Sequence, residues 1–125
     1  MILEQQVINL GLSKKLEELG VKQESLFYWK SFDTGAAVLV TGEPQKSTKY
    51  HSYCALTVAE LGEMLPAHTA SYRVVHEDGP QYWTCIEYVL GEHARYEHIE
   101  IADTEAHARA QMLIYLLENE LIPHR

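Results

Sequence analysis

The feature that most constrains this fold is an amphipathic segment near the end of the chain, from Asp103 to about Ile122. Asp103 or Thr104 is the expected N-cap of a helix there, and Pro123 is expected to stop it. A stripe of apolar residues this long must pack against a surface of comparable size, which the strand-like segments upstream offer. The stripe recurs at steps of three and four, as on one face of a helix, and comprises Ala106, Ala110, Leu113, Ile114, Leu117 and Leu121.

Two shorter helices are predicted earlier in the chain. Asn9 is the expected N-cap of the first, and Gly20 is placed to end it in a left-handed conformation, with Val21 packing back against Leu16. The apolar stripe of this helix is Leu12, Leu16 and Leu19. It is therefore predicted with a defined beginning and a defined end.

The second short helix lies within Leu56–Pro66 and has a complete start signal. Thr57 followed by Glu60 predicts a capping box, and Leu56 with Leu61 predicts the hydrophobic staple around it. The residues expected to face inward are Val58, Leu61 and Leu65.

The first predicted strands flank the turn Asp33-Thr34-Gly35. Ser25–Phe32 is rich in aromatic residues and Ala36–Thr41 is apolar, so the two predict a hairpin. Alternation sends Phe27 and Trp29 to one side of the first strand and Leu26, Tyr28 and Lys30 to the other. The polar segment Gly42–Tyr53 predicts a loop.

Three further strands are predicted between the second helix and the last one. Ser71–Glu77 and Gln81–Leu90 flank Asp78-Gly79, a two-residue hairpin signal that would pair Val75 with Tyr82 and Val74 with Trp83. A slip by one residue would exchange the two faces, and Pro80 beside the turn leaves the register open. Gly91-Glu92-His93 predicts the next turn, and Arg95–Ala102 a last strand with Ile99 and Ile101 inward.

These elements predict an α+β fold in one domain spanning residues 1–125. Since no βαβ alternation occurs, we expect one antiparallel sheet of about five strands, with two short helices and the long C-terminal helix packed on one face. The chain's 46% hydrophobic and 22% charged residues are typical of a globular protein.

The charge distribution bears on the class of partner. Residues 1–55 carry six acidic and six Lys/Arg residues, whereas residues 56–125 carry twelve acidic and four basic ones. Since no basic stripe is present to neutralise phosphates, we expect no nucleic-acid partner. No apolar run approaches the ~20 residues of a membrane span, and the N-terminus does not read as a signal peptide, so we expect a cytoplasmic protein.

Several patterns are candidates for chemistry, although none of them is complete. His51-x-x-Cys54 is half of a zinc-ligand spacing that Cys85 or His76 would have to finish. Glu92-His93 and Glu97-His98 put carboxylates next to imidazoles, but neighbours in a strand point to opposite faces. We therefore expect no cofactor and no catalytic residue.

Three blocks of the sequence carry a resemblance and cover more than a third of the chain: LGLSKKLEELGVKQESLFYW, ALTVAELGEMLP and ARAQMLIYLLENELI. In this order they resemble a group of small proteins without an assigned activity that are encoded in bacterial genomes, prophages and other mobile elements. The resemblance implies a bacterial or phage-related accessory protein, and it implies no activity or mechanism.

The aromatic content points to a contact surface, because the chain has eight Tyr and two Trp, residues enriched at interfaces. They either pack across the sheet beneath the helices or form a patch on its open face. The candidate surface comprises Trp29, Trp83, Tyr28 and Tyr82. We expect an interaction protein that binds a protein partner or a second copy of itself. The alternative is a small enzyme or metal-binding protein using the His/Glu-rich second half.

Overall fold

The computed structural model describes residues 3–42, 47–74, 79, 82–89 and 95–122, with residues 88, 89 and 95–97 described by their backbone alone. In chain order the elements are α1 (Leu3–Gln6), α2 (Leu10–Glu18), β1 (Phe27–Phe32), β2 (Ala37–Thr41), β3 (Tyr50–Cys54), α3 (Val58–Met64), β4 (Thr69–Val74), β5 (Tyr82–Val89), β6 (Arg95–Ala102) and α4 (Glu105–Glu118). The α+β class is confirmed.

The strands form two separate antiparallel sheets of three strands each, so the prediction of one sheet with about five strands is wrong. The first sheet has the order β2-β1-β3 and the second has the order β4-β5-β6. One source of the error is β3. Four of its five residues lie inside the polar segment predicted as a loop, and it pairs with β1 along its whole length. Its residue types alone did not reveal it, because backbone pairing with β1 stabilises a strand whatever its polarity.

The N-terminal segment consists of a short helix followed by an extended stretch. Residues 3–6 form the single helical turn α1, and the chain becomes extended only afterwards. Val7 then forms an isolated bridge with Thr57, and the Ile8 amide donates to the Leu56 carbonyl at 3.1 Å. These contacts tie the start of the chain to the segment that leads into α3.

The register of the second sheet differs by one residue from the expected one. Val74 pairs with Tyr82 and Arg73 with Trp83, whereas the sequence suggested Val75 with Tyr82. A slip by one residue reverses which side chains of a strand face the helices. The turns predicted at Asp78-Gly79 and at residues 91–93 lie, apart from Gly79, outside the described residues.

The predicted boundaries of α2 are confirmed in atomic detail. The Asn9 side chain accepts from the Leu12 amide at 2.9 Å. At the other end Gly20 has a φ of 85°, which a residue without Cβ adopts at little cost. This conformation brings the Val21 amide to the Leu16 carbonyl at 3.0 Å, the contact that defines a Schellman ending.

The capping box of α3 is confirmed as well. The Glu60 amide donates to Thr57 Oγ1 at 3.2 Å, and the Thr57 amide donates to Glu60 Oε1 at 3.0 Å. Leu56 and Leu61, the residues of the expected staple, are both fully buried. The short helix therefore begins where its sequence specifies.

Helix α4 supplies apolar side chains to two core clusters, one on either side of it. Thr104 is its N-cap, accepting from the His107 amide at 3.1 Å. The first core contains four residues of the predicted stripe: Ala106, Ala110, Leu113 and Leu117. The second core joins α4 to Cys85 of the second sheet through residues outside the predicted stripe: Ala108, Met112 and Leu116. Among the described residues no helix is both long and apolar enough to cross a membrane.

The end of α4 differs from the prediction that Pro123 would stop it. The helix ends at Glu118, and Glu120 takes a positive φ of 54°. The Leu121 amide then donates to the Leu116 carbonyl at 2.9 Å, which closes a Schellman ending built on a residue other than glycine. Leu121, expected in the buried stripe, is therefore 53% exposed.

Leu117 and Leu121 belong to the same predicted stripe, but their substitution should change the stability of the protein by different amounts. Leu117→Ala should lower the free energy of unfolding by about 2–5 kcal/mol, because it leaves a cavity in the first core. Leu121→Ala, beyond the helix, should change it by less than about 0.5 kcal/mol. Urea denaturation of the two variants measures the difference, and equal losses would contradict the assignment.

Substitution of Glu120 by glycine should stabilise the protein. A left-handed conformation costs an L-residue with a Cβ about 1 kcal/mol more than it costs glycine. Glu120→Gly should therefore raise the free energy of unfolding by up to about that amount. Glu118→Gly, two residues earlier at the last position of α4, should instead lower it, by up to about 0.5–1 kcal/mol. Thermal denaturation of the pair provides the measurement.

Candidate interaction surface

The four aromatic residues predicted as a contact surface do not lie on one surface. Tyr28 belongs to the first core and is only 6% exposed, and its hydroxyl accepts from the Ser25 amide at 3.2 Å. Trp29 follows it on β1 and points to the opposite face of the first sheet. Its indole N–H donates to the Ile8 carbonyl at 2.9 Å, so it anchors the N-terminal segment.

Trp83 and Tyr82 lie on the second sheet and also point to opposite faces. Trp83 is half-buried and packs against the second core, between the sheet and α4. Tyr82 points to the side away from α4, in register with Val74. Of the four predicted residues, Tyr82 is the one that lies on the same face as the exposed apolar residues of this sheet.

The side of the second sheet that faces α4 is unusually polar for a surface against a helix. Ser71 of β4 donates to Glu105 of α4 at 2.7 Å, and the imidazole of His98 stacks on the Tyr115 ring with centroids 3.4 Å apart. Glu87 lies on the same side and is 6% exposed. Apolar packing on this side is confined mainly to Cys85, Trp83 and the residues of α4 around them.

The opposite side of this sheet, hereafter the outer face, is apolar. Cross-strand pairing aligns Tyr72 with Thr84 and Ile101 in one row, and Ala70 with Ile86 and Ile99 in the next. Tyr72, Ile99 and Ile101 are 44%, 45% and 58% exposed, whereas Thr84 and Ile86 of the middle strand are buried. The side chains of the outer face that the structure describes are Ala70, Tyr72, Val74, Tyr82, Thr84, Ile86, Ile99 and Ile101, and none of these eight carries a charge.

The expectation that Ile99 and Ile101 point inward is therefore wrong. His98 and Glu100 occupy the inward positions of β6, because α4 offers Tyr115 for stacking on His98, and those two side chains also pair with each other. The outer face was missed because apolar residues of an alternating strand were assumed to face the core. A second apolar stripe of α4, formed by Ala108, Met112 and Leu116, could have indicated the outer face, because these residues supply the apolar packing beneath the sheet.

An Asp–His pair at the start of α4 has the form of an oriented general base but is not free to act as one. The Asn9 amide donates to His107 Nε2 at 3.2 Å, so the ring carries its proton on Nδ1, which donates to Asp103 Oδ1 at 2.8 Å. This hydrogen bond lowers the pKa of Asp103. Because both ring nitrogens are engaged, the pair ties α4 to the start of α2.

Arg109 is the one basic residue of α4, and its guanidinium joins three elements. It donates to Ser71 Oγ, to the Val58 carbonyl and to Glu105 Oε2, each at 3.0 Å. A Cβ at Gly62 would lie 2.4 Å from Nη1 of this group, so glycine is required there for the guanidinium to pass over α3. These contacts account for Arg109 as a structural residue.

The carboxylate–imidazole pairs of the second sheet differ from those suggested by sequence adjacency. His98 pairs with Glu100, two positions along the strand and on the same face, while His68 contacts Glu87 at 3.2 Å. The other oxygen of Glu87 is buried without a hydrogen-bond partner. Glu92-His93 and the Glu97 side chain lie outside the described residues. Among the described side chains, no three His, Cys, Asp or Glu residues converge as metal ligands.

The zinc half-site suggested by His51 and Cys54 is not assembled. The two residues are three positions apart on β3, so their side chains point to opposite faces of the first sheet. His51 instead contacts Glu17 of α2 at 3.0 Å. Cys54 lies in the first core and Cys85 in the second, and His76 lies outside the described residues.

Both cysteines are expected to be unreactive in the folded protein. Burial raises the pKa of Cys54 to about 12, with Glu60 adding to the shift, and burial raises the pKa of Cys85 to about 11. At pH 8 both groups are therefore protonated thiols, which are poor nucleophiles.

A disulfide reagent should modify Cys54 and Cys85 only as fast as the protein unfolds, and immediate modification of the native protein at pH 8 would contradict this.

No family model, no curated protein and no solved structure matches this chain. The resemblance to small proteins of bacterial mobile elements therefore stays a prediction.

Proposed function

We propose that this protein is a small interaction module that associates with a second copy of itself through the outer face of the second sheet. Such a role agrees with an accessory protein, the class that its sequence resembles. It requires neither a cofactor nor turnover.

The observation that carries this proposal is the inverted polarity of the second sheet. Side chains that would tolerate water, such as Ser71, His98 and Glu100, lie beneath α4, while Tyr72, Ile99 and Ile101 lie outside. Exposing contiguous apolar side chains to water is unfavourable, and patches of this kind mark interaction sites. The inversion is explained if the outer face is covered in the working state.

The described side chains of the outer face carry no charge, which favours a second copy over an oppositely charged partner. The chain has a formal net charge of −8, so a basic partner would be attracted to its acidic surfaces rather than to an uncharged one. Two identical apolar faces are self-complementary, and a two-fold axis through the middle strand would bring β5 of one copy over β5 of the other. The charges of the two copies then stay away from the contact.

Introducing a charge into the outer face should dissociate the dimer. In Ile101→Glu, symmetry brings two unpaired carboxylates into an apolar contact between chains that already repel each other. Sedimentation should show wild type at twice the chain mass of 14.3 kDa and the variant at the chain mass. Ile101 is more than half exposed, so the variant should keep the circular dichroism spectrum of the wild type.

The matched control is Val38→Glu, which makes the same type of change on β2 of the first sheet. Val38 is 51% exposed but lies on the other sheet, so this variant should remain dimeric. Added salt should not dissociate the wild type, because it screens the repulsion between two acidic chains. A wild type that sediments at the chain mass, or a Val38→Glu variant as dissociated as Ile101→Glu, would overturn the proposal.

A further inference from the structure

A second apolar surface lies on the other side of α4 from the outer face. It is a groove of about 690 Å³ between the segment 21–26, the second half of α3 and the end of α4. Leu113 and Leu117 form part of its floor and are almost fully buried, while Leu26 at its edge is 67% exposed. The groove is completed by Val21, Met64, Leu65, Pro66 and Ile122.

The edge of the groove is acidic. Its charged residues are Glu24, Glu60 and Glu63 against a single lysine, Lys22. Glu24 is held by Lys22 at 3.2 Å in a well-exposed pair, which a stronger cation can replace. Glu63 is exposed and makes no ion pair among the described residues. A ligand that combines an apolar face with positive charges therefore matches the groove in both respects.

The lining also indicates which backbone conformation a peptide would need. It consists of residues from two helices and a connecting segment, and no residue of a described strand contributes. An extended peptide needs a free strand edge to satisfy its amide and carbonyl groups, whereas a helix satisfies them internally. The groove therefore suits an amphipathic helix.

We infer that this groove binds a basic amphipathic helix from a partner protein, which lays its apolar residues over Leu113 and Leu117 and directs Lys or Arg towards Glu24 and Glu63. The site is separate from the outer face, and α4 lies between them. Anionic amphiphiles such as fatty acids match the apolar floor but not the acidic edge.

Two labelled model peptides test the proposal by fluorescence anisotropy with the full-length wild-type protein. The first is an amphipathic helix of leucine and lysine, and the second carries glutamate at every lysine position. The lysine peptide should bind, its affinity should fall as salt rises, and the glutamate peptide should not bind. A lysine peptide with its leucines and lysines in scrambled order should bind at least about tenfold more weakly, because it presents no continuous apolar face.

Two variants of exposed residues locate the binding. Leu26→Ser should weaken binding of the lysine peptide about tenfold, as for an apolar anchor at the contact, and Glu63→Lys should weaken it several-fold through repulsion. The controls make equivalent changes elsewhere: Val38→Ser on β2 and Glu18→Lys on α2 should bind like the wild type.

Three outcomes would overturn the inference. The first is equal binding of the ordered and scrambled lysine peptides, which would show that charge alone attracts them. The second is binding of dodecanoate but not of the lysine peptide, which would assign the groove to an acyl chain. The third is conversion of a wild-type dimer into monomers by Leu26→Ser, which would make the groove an interface between copies. Failure of the outer-face dimer would leave these results unaffected.

Discussion

The structure depends on a helix that must be buried on both sides. The first half of α4 carries Ala106, Ala108 and Ala110, all fully buried, and their small side chains let both cores approach the helix closely. Arg109 lies among them, and its partly buried position is tolerable because its hydrogen bonds reach α3, β4 and α4 itself. One guanidinium thus fixes the relative positions of the layers, and Gly62 gives it the room to do so.

Those parts of the fold that depend on neighbouring residues could be predicted from the sequence. Asn9, Gly20 and the pair Thr57 and Glu60 form their hydrogen bonds within a few residues, so their spacing already contains the geometry. The end of α4 escaped prediction although it is equally local. The residue with the left-handed conformation is Glu120. A glycine at this position would have indicated the helix end in the sequence, whereas a glutamate rarely adopts this conformation and gave no indication of it.

The arrangement of the strands could not be predicted, because it depends on partners that are distant in sequence. Strand β3 is polar and irregular by composition, yet β1 pairs with it from Tyr28 to Phe32. In the second sheet a single residue of slip decided which side of β4 meets the helix. The separation of the candidate aromatic residues has a local cause instead: Tyr28 and Trp29 are neighbours in sequence, and alternation puts them on opposite faces of one strand.

The failed expectation for β6 is also the most informative observation about function. Isoleucines of an alternating strand are expected to face the chain's own helices when burial of apolar surface alone decides the orientation of the strand. Here the helix takes His98 and Glu100, and Ile99 and Ile101 are turned to solvent. A fold that needed only stability would gain by exchanging the two sides, since apolar side chains would then be buried against α4. The opposite order is what the proposed contact through the outer face would require, since departures from local sequence rules are expected at functional sites.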